Sequence, residues 1–398
     1  MIPEGWLIST LDKFIDIKHG FAFKSDYFRS EGEYILTTPG HFFEVGGFRD
    51  QGNKTKYYVG EVPKGYLLKK GDVLLAMTEQ AAGLLGSAIY VPESGKYLHN
   101  QRLGLVIVRD HERICKEYIY LIYNSPTTRK TIAEQASGTK VKHTSPSRLL
   151  GVKVLIPPLS EQKKIAQVLS TWDKAIATTE QLLANSQLQK KALMQKIFTG
   201  RDRFSEFTEK WKSHELSDIA MVQMGSSPKS GAYNEDGYGL PLIQGNADIK
   251  NRRSAPRIFT AEITKECDVG DILLSVRAPV GTVAVSSHKA CIGRGISAIR
   301  ATMGFNQDFL YQWFLWFEPR WGALSQGSTF ESINSDDIKQ LKIELPDLEE
   351  QKKIASVLSN ADQEIEVLQQ KLHHLKQEKK ALMQQLLTGK RRVKVDAA

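Results

Sequence analysis

Cysteine and long apolar runs are scarce in this chain. Its 398 residues include three cysteines, Cys115, Cys267 and Cys291, and none of them forms a C-x-x-C pair. Because that number is odd and the spacing fits no metal site, we expect reduced core residues and not a disulfide framework or zinc knuckle. No stretch approaches the roughly 18 apolar residues of a membrane span, and no secretory signal pattern opens the chain. The sequence therefore predicts a soluble, cytoplasmic protein without membrane contact.

Catalytic signatures are also missing. The sequence contains no G-x-x-x-x-G-K-[ST], no G-x-G-x-x-G after a predicted strand, no [N/D]-P-P-[Y/F] of adenine methyltransferases and no H-E-x-x-H. Pro346-Asp347 followed by Glu350-Gln351-Lys352 imitates a nuclease metal site, but these residues fall at one predicted helix start instead of on two strands. We therefore expect a non-catalytic chain that holds no metal and no cofactor.

What is present is an ordinary globular composition with a mildly basic balance. Apolar residues make up 41% and charged residues 25%, and 54 Lys and Arg against 45 Asp and Glu give a net charge of +9. This mix argues against disorder, and the length suggests two or three domains, each with its own core. The charge is modest for a protein that would bind nucleic acid alone.

An internal repeat organises the chain. The segment 152–200 aligns without a gap with 341–389, and 24 of the 49 positions are identical. Two unbroken blocks, E-Q-K-K-I-A from Glu161 and Glu350 and K-K-A-L-M-Q from Lys190 and Lys379, carry half of these identities. The regions upstream of each copy diverge but keep matched Trp, Leu, Gly, Lys and Ser positions. The chain thus alternates variable and matched segments, each twice.

The matched segments predict two long helices. Apolar residues recur at alternating spacings of four and three, which is a heptad seam. The seam residues expected to pair are Ile165, Leu169, Trp172, Ile176, Leu183, Leu193, Ile354, Leu358, Ile365, Leu368, Leu372, Leu375 and Leu382. Thr179, Ser186 and Lys190 interrupt the first seam with polar side chains. Start signals are Ser160 and an Asp347/Glu350 capping box, and stop signals are Gly200 and Gly389.

A helix of about 40 residues, about 60 Å long, needs a partner helix to cover its stripe. Generic oligomerisation is one reading of such a stripe, but the duplication supplies a partner within the chain. We therefore predict an intramolecular, antiparallel coiled coil related by a pseudo-twofold axis. Matched Lys190 and Lys379 would set its register or lie at frayed ends.

The variable regions predict a mixed α/β (α+β) fold. Short strands are expected at 66–68, 72–75, 103–108, 271–276, 281–286 and 295–299, and a helix at 306–317. Two aromatic helical pieces, 118–123 and 309–314, are expected in the core. The loops between these elements contain Arg, Asn and Gln, which can pair with guanine or adenine edges, and Gly with hydroxyl and basic neighbours, which suits phosphate.

For each of these polar residues taken alone, an ordinary solvated surface is the alternative. The candidates for nucleic-acid contact are Lys24, Thr78, Gln80, Asn100, Gln101, Arg102, Thr139, Lys140, Lys142, His143, Lys229, Gln244, Asn246, Arg252, Arg253, Arg277, Arg294, Ser328, Thr329 and Asn334.

The alternation of two variable regions with two repeats containing P-x-L-x-E-Q-K-K-I-A-x-V-L-S and K-K-A-L-M-Q-x-x-x-T-G resembles the specificity subunit of type I restriction-modification enzymes. The resemblance spans essentially the whole chain. It implies target recognition domains at 1–155 and 201–345, spacer helices at 156–200 and 346–390, and a tail at 391–398. Each recognition domain would read one half of a split, asymmetric site in double-stranded DNA, and the helices would set the gap.

The resemblance also implies partners. Two modification (methyltransferase) subunits would dock on the matched helices, and restriction subunits would add ATP-dependent translocation and cleavage. S-adenosylmethionine, ATP and Mg would then be bound by these partners. The alternative function is a coiled-coil scaffold or adaptor without sequence-specific reading; a self-contained enzyme is disfavoured by the missing motifs. The sequence leaves open which bases are read, the gap length and whether a restriction subunit exists.

Overall fold

The computed structural model describes residues 2–79, 83–138, 141–324 and 332–395. The chain divides into two compact units, unit 1 with Met1–Thr178 and Leu372–Ala398, and unit 2 with Thr179–Lys371. The divisions fall inside both long helices, so each unit contains part of each. In the described part of the chain, no helix is long and apolar enough to cross a membrane.

Unit 1 contains short strands and helices ahead of the first long helix. The strands are β1 Leu7–Thr10, β2 Ile15–His19, β3 Phe28–Arg29, β4 Tyr34–Leu36, β5 Tyr57–Tyr58, β6 Val73–Ala76, β7 Thr78–Glu79, β8 Ala88–Tyr90, β9 Tyr97–Leu98, β10 Leu103–Val108, β11 Lys142–His143 and β12 Lys153–Ile156. The helices are α1 Lys116–Tyr123, α2 Pro126–Glu134, α3 Pro146–Leu150 and α4 Leu159–Phe198, which continues into unit 2.

Unit 2 repeats this order of elements. Its strands are β13 Lys212–Glu215, β14 Ala220–Met224, β15 Tyr233–Asn234, β16 Leu240–Ile243, β17 Ile249–Lys250, β18 Arg253–Ser254, β19 Ile258–Thr260, β20 Glu266–Cys267, β21 Ile272–Ser275, β22 Val283–Val285, β23 Ala290–Ile292, β24 Ile296–Ala301 and β25 Lys342–Leu345. Its helices are α5 Leu216–Ile219, α6 Gln307–Phe317, α7 Trp321–Leu324, α8 Ser335–Lys339 and α9 Leu348–Leu387, which continues into unit 1.

The two main sheets of unit 1 recur in unit 2 with the same strand order and with added edge strands. In unit 1 the orders are β2-β10-β6-β8 and β3-β5-β4-β9, with β1 paired to β12 and β7 to β11. In unit 2 the order β14-β24-β21-β22 is extended by β18 and β17, β15-β19-β16-β23 is extended by β20, and β13 pairs with β25. The fold class predicted from the sequence, two repeated α/β units and two long helices, is therefore confirmed.

Helices α4 and α9 have 40 residues each. Every seam residue predicted above lies on a buried or half-buried stripe, and none is exposed. Ile165 and Leu169 belong to the core of unit 1, and Ile354 and Leu358 belong to the core of unit 2. The central seam positions are half-buried because a two-stranded pair covers only one side of each helix.

One ion pair in each unit shows the antiparallel pairing. In unit 2, Lys190 Nζ on α4 lies 2.5 Å from Asp362 Oδ1 on α9. In unit 1, Lys379 on α9 donates to Asp173 on α4. The two lysines are matched in the repeat, and so are the two aspartates, and the residue numbers of both pairs add up to the same value. A single antiparallel register therefore satisfies both contacts.

The helix ends follow their signals with two corrections. Gly200 and Gly389 both have φ of +68° just past the last helical turn, as the stop signal predicted. Asp347 Oδ1 accepts from the Glu350 N–H at 2.9 Å, but the Glu350 side chain does not return to Asp347, so the capping box is half formed. Ser160 lies inside α4, because Pro157-Pro158 end the preceding strand segment and the helix begins at Leu159.

The aromatic pieces 118–123 and 309–314 lie in the cores of unit 1 and unit 2, as predicted. All three cysteines are free and buried. Of the predicted strands, only 66–68 is wrong: Leu67 forms a single bridge with Leu98 because the surrounding backbone bends into turns instead of continuing a ladder.

Candidate nucleic-acid interface

A cluster of three loops in unit 1 collects the polar candidates that lie far apart in sequence. The Met77 N–H donates to Arg102 O at 3.0 Å, and the Thr144 N–H donates to Met77 O at 2.9 Å. Strands β7 and β11 pair Thr78 with His143 and Glu79 with Lys142. These backbone bonds place residues 77–79, 99–103 and 142–144 side by side, and we call them the unit 1 loop cluster.

The middle loop of this cluster is tightly packed. A Cβ added to Gly20 would lie 1.9 Å from Asn100 O, so only glycine fits there. The Gln101 N–H donates to Phe21 O at 2.9 Å. The His99 ring, fully buried, lies with Nε2 2.9 Å from Leu103 O, and burial lowers the pKa of His99 to about 4. His99 is therefore neutral at pH 7, with Nε2–H as the donor to that carbonyl.

Unit 2 builds the same cluster with different side chains. The Val276 N–H donates to Gly295 O at 2.9 Å, the Ile333 N–H donates to Val276 O at 3.0 Å, and Arg277 bridges Ser332. These residues, 276–277, 292–296 and 332–333, form the unit 2 loop cluster. Three glycines hold it: a Cβ on Gly225 would lie 2.2 Å from Gly293 O, and a Cβ on Gly295 would lie 2.3 Å from Gln244 O.

The two clusters therefore correspond position by position. Thr78 of unit 1 matches Arg277 of unit 2, and Gln101 matches Arg294. His143 matches Ser332. Equivalent strand pairings place Thr78 beside His143 and Arg277 beside Ser332. Equivalent backbone bonds at the flanking residues place Gln101 and Arg294. The framework is therefore shared, and the side chain differs.

Several side chains of the clusters are free to contact a ligand. Gln101, Arg102, Lys142, His143, Arg277 and Arg294 are exposed. Within the described residues, their side chains make no hydrogen bond or ion pair. Thr78 and Asn100 are half-buried, and Asn100 Oδ1 lies 3.4 Å from the Arg102 backbone nitrogen. The exposed side chains are cationic or carry an amide or an imidazole, which suits the edges of bases and phosphate. The Glu79 carboxylate of the unit 1 loop cluster is buried and accepts from backbone N–H groups.

Other candidates lie beside the unit 2 cluster or outside it. Gln244 donates through Nε2 to the Tyr233 hydroxyl at 2.8 Å, so its amide supports the loop next to Gly293. Asn246, two residues further, is half-buried. Lys229 and its unit 1 counterpart Lys24 are exposed at the starts of short 3-10 turns.

Three candidates of unit 2 have other neighbours. Arg252 donates to Glu318 Oε2 at 2.5 Å and to Val283 O at 3.0 Å, and Arg253 lies on β18 at the extended edge of the sheet. The Asn334 side chain caps α8, because its Oδ1 accepts from the N–H groups of Asp336 and Asp337 at 2.9 Å each. Gln80, Thr139, Lys140, Ser328 and Thr329 lie outside the described residues.

Sequence reasoning missed the residues that support the clusters. Ser227 Oγ accepts from the Arg294 N–H at 3.1 Å. The buried Glu79 carboxylate accepts from the N–H groups of Leu84 and Leu85 at 2.6 and 3.0 Å. Their partners are distant along the chain or backbone groups, so the sequence carries no pattern that identifies them. The matched glycines Gly20 and Gly225 are the one sequence signal that marks the position of these loops.

The sequence of this chain resembles a known protein family and several of its members. The family model described as the type I restriction modification DNA specificity domain matches residues 3–185 and 208–377. A protein of Methanocaldococcus jannaschii assigned as the specificity subunit of the type I restriction enzyme MjaX is 33% identical over 343 residues, which cover 83% of this chain and 80% of the relative. The EcoBI specificity subunit of Escherichia coli is 24% identical over 410 residues, covering 89% of this chain and 78% of the relative.

Two solved structures resemble the fold over nearly the whole chain. The S subunit of a type I restriction-modification system from M. genitalium has a TM-score of 0.66 at 16% identity, covering 97% of this chain and 96% of that one. A chain from a study of complex assembly in a type I system has a TM-score of 0.60 at 23% identity, covering 97% and 98%. At these identities the likeness concerns the fold alone.

Proposed function

This chain belongs to the family of type I restriction-modification DNA specificity proteins, and on that premise we propose that it is the DNA-reading subunit of a multisubunit modification or restriction enzyme. Each unit reads one half of a bipartite, asymmetric site. The observation that carries this proposal is the pair of loop clusters, which share one backbone framework and present different side chains. Because the same backbone framework occurs in both units, each unit can contact one half-site. Because the side chains on that framework differ, the two half-sites differ in sequence.

The helices supply the spacing and the partner surface in this proposal. Their combined register sets the unread gap between the half-sites. The repeated E-Q-K-K blocks bury their Glu and Gln but leave Lys163, Lys164, Lys352 and Lys353 exposed at matched positions. A surface presented twice in this way suits two copies of one methyltransferase subunit.

The chemistry is assigned to the partners. S-adenosylmethionine would be bound by the methyltransferase subunits, and ATP and Mg by restriction subunits. The target adenine would be flipped into a methyltransferase subunit, outside this chain, while this chain holds the duplex in place. We place the assembly in the cytoplasm, where its DNA is accessible.

Co-expression with a type I methyltransferase subunit tests the proposal. Mapping N6-methyladenine in the host genome should reveal one split motif with methylated adenines on opposite strands. Methylation without a defined motif, together with retention of duplex DNA that ignores salt, would favour the scaffold function instead. Turnover of S-adenosylmethionine by the pure chain would contradict a non-catalytic role.

A further inference from the structure

We propose that Gln101 and Arg294 are matched specificity positions, Gln101 selecting an adenine in the half-site read by unit 1 and Arg294 selecting a guanine in the half-site read by unit 2. This inference rests on the proposed function and goes beyond it, because it assigns individual bases to individual side chains. It also makes the two half-sites chemically different in a stated way.

The backbone at both positions is held by equivalent contacts. Gly20 N–H donates to Leu103 O at 3.2 Å in unit 1, and Gly225 N–H donates to Ile296 O at 2.9 Å in unit 2. The N–H groups of Leu103 and Ile296 donate to the carbonyls of residues 100 and 293, both at 3.0 Å. Gln101 and Arg294 therefore occupy the same place in the same tight loop.

The backbone of both loops is held in place at Gln101 and at Arg294. Gly293 and Gly295 flank Arg294, and each lies against Gln244 so closely that an added Cβ would come within 3.1 and 2.3 Å of its backbone. The Arg294 N–H is bound by Ser227, and the Gln101 N–H is bound by Phe21 O. Because the backbone is fixed on both sides and the side chains are exposed, contact with a base requires ordering of the side chain but not of the loop.

The chemistry of the two side chains differs in the way that discriminates bases. A guanidinium can donate two parallel hydrogen bonds to guanine O6 and N7, whereas a carboxamide can both donate and accept at adenine N6 and N7. The neighbouring matched pair strengthens the contrast, since unit 2 has Arg277 where unit 1 has Thr78. At these two matched positions unit 2 thus has two guanidinium groups, and unit 1 has an amide and a hydroxyl.

The test exchanges the two side chains in the complex with its methyltransferase partner. Gln101→Arg and Arg294→Gln are expressed separately, and Arg201→Gln serves as the matched control, because Arg201 is an exposed arginine of unit 2 outside the loop cluster and is no candidate for nucleic-acid contact. Arg294→Gln should replace a guanine in the unit 2 half of the methylated motif, and Gln101→Arg should introduce one in the unit 1 half. The other half and the gap should stay unchanged, and Arg201→Gln should leave the motif intact.

Binding to duplexes that differ at one position provides the second measurement. Arg294→Gln should lose about 5- to 150-fold of the preference for guanine, the range of one bidentate contact. An unchanged motif in either exchange variant would overturn the proposal. So would an equal loss of affinity for every duplex, since that would assign the side chain to phosphate. If the wild-type complex methylates no split motif, the proposed function fails and this inference fails with it.

Discussion

Glu161 and Glu350 illustrate how single residues of the repeat hold each unit together. Glu350, with 1% of its side chain exposed, accepts from Arg203 and from Trp211 Nε1–H at 3.2 Å. Glu161, with 3% exposed, accepts from Arg392 and from Trp6 Nε1–H at 3.2 Å. The hydrogen bonds with Glu350 and Glu161 raise the pKa values of Arg203 and Arg392. The glutamate of the E-Q-K-K block is therefore structural.

Removing Glu350 should be costly because it leaves a guanidinium and an indole N–H without their acceptor. We expect Glu350→Ala to lower the free energy of unfolding of unit 2 by about 3 kcal/mol, as for breaking a buried ion pair. The adjacent Glu349, 72% exposed and paired with Lys352, is the matched control. Glu349→Ala should change the free energy of unfolding by less than about 0.5 kcal/mol. Urea unfolding measures both changes. Equal losses of stability would show that the contacts of Glu350 with Arg203 and Trp211 contribute no more than an exposed ion pair.

Because the His99 ring is buried, we expect the stability of unit 1 to depend on pH. Its pKa of about 4 in the folded chain is below the ordinary value of 6.5, because burial disfavours the charged ring. The unfolded chain therefore binds a proton first as the pH falls, and the associated stability is present above about pH 6.5 and is lost progressively down to about pH 4. Between pH 7 and pH 5 the loss should be about 2 kcal/mol.

The comparison that isolates this effect is wild type against His99→Gln, with urea unfolding at both pH values. Between pH 7 and pH 5, His99→Gln should lose about 2 kcal/mol less stability than wild type does. His111→Gln, at an exposed position, should behave like wild type. An identical pH response of wild type and His99→Gln would mean that another group controls the acid sensitivity.

At the scale of the helices, the two lysine–aspartate pairs should differ in energy because they differ in burial. The Lys190 side chain is 9% exposed and that of Lys379 is 22% exposed. Burial lowers the pKa of Lys190, and the hydrogen bond with Asp362 opposes that shift. Asp362→Ala leaves a buried ammonium without its partner and should cost about 2 kcal/mol, while Asp173→Ala should cost less than about 1 kcal/mol.

Thermal unfolding of the two variants, which are matched by the repeat itself, tests this order. Lys190→Met should be nearly neutral, because it removes the buried charge and keeps an apolar stem in the seam. If Asp173→Ala lowers the stability more than Asp362→Ala does, then burial does not determine how much each lysine–aspartate pair contributes.

The elements also show what a sequence can predict. A seam repeated over ten positions identifies a long helix and its partner because the periodic signal accumulates, and the glycines mark its ends. The loop clusters depend on single contacts between distant residues, such as Thr78 with His143, and no local pattern encodes such a pairing. Asn334 shows the resulting ambiguity: an amide suited to reading adenine is used to cap a helix. The sequence therefore indicates which residue types are candidates, whereas their grouping depends on the fold.

Across the whole molecule, the order of the chain explains why both units can be built alike. Arg203 follows α4 and serves unit 2, whereas Arg392 follows α9 and serves unit 1 at the matched position. The segment after each helix thus completes the unit that contains the start of the other helix. With a net charge of only +9, binding of DNA by this chain should be strengthened by the phosphate contacts of its partners.

The length of both helices should determine the gap between the half-sites. Inserting seven residues into α4 between Asp173 and Lys190, and seven into α9 between Asp362 and Lys379, keeps the heptad phase and both ion pairs. At 1.5 Å per residue the helices lengthen by about 10 Å, which corresponds to about three base pairs. Mapping of N6-methyladenine should therefore show a gap about three base pairs longer, with both half-site sequences unchanged. The same insertion in one helix alone is the control, and it should abolish methylation because the two seams can no longer pair. If the gap stays constant in the double insertion, or if the half-site sequences change, the helices do not set the spacing of the site.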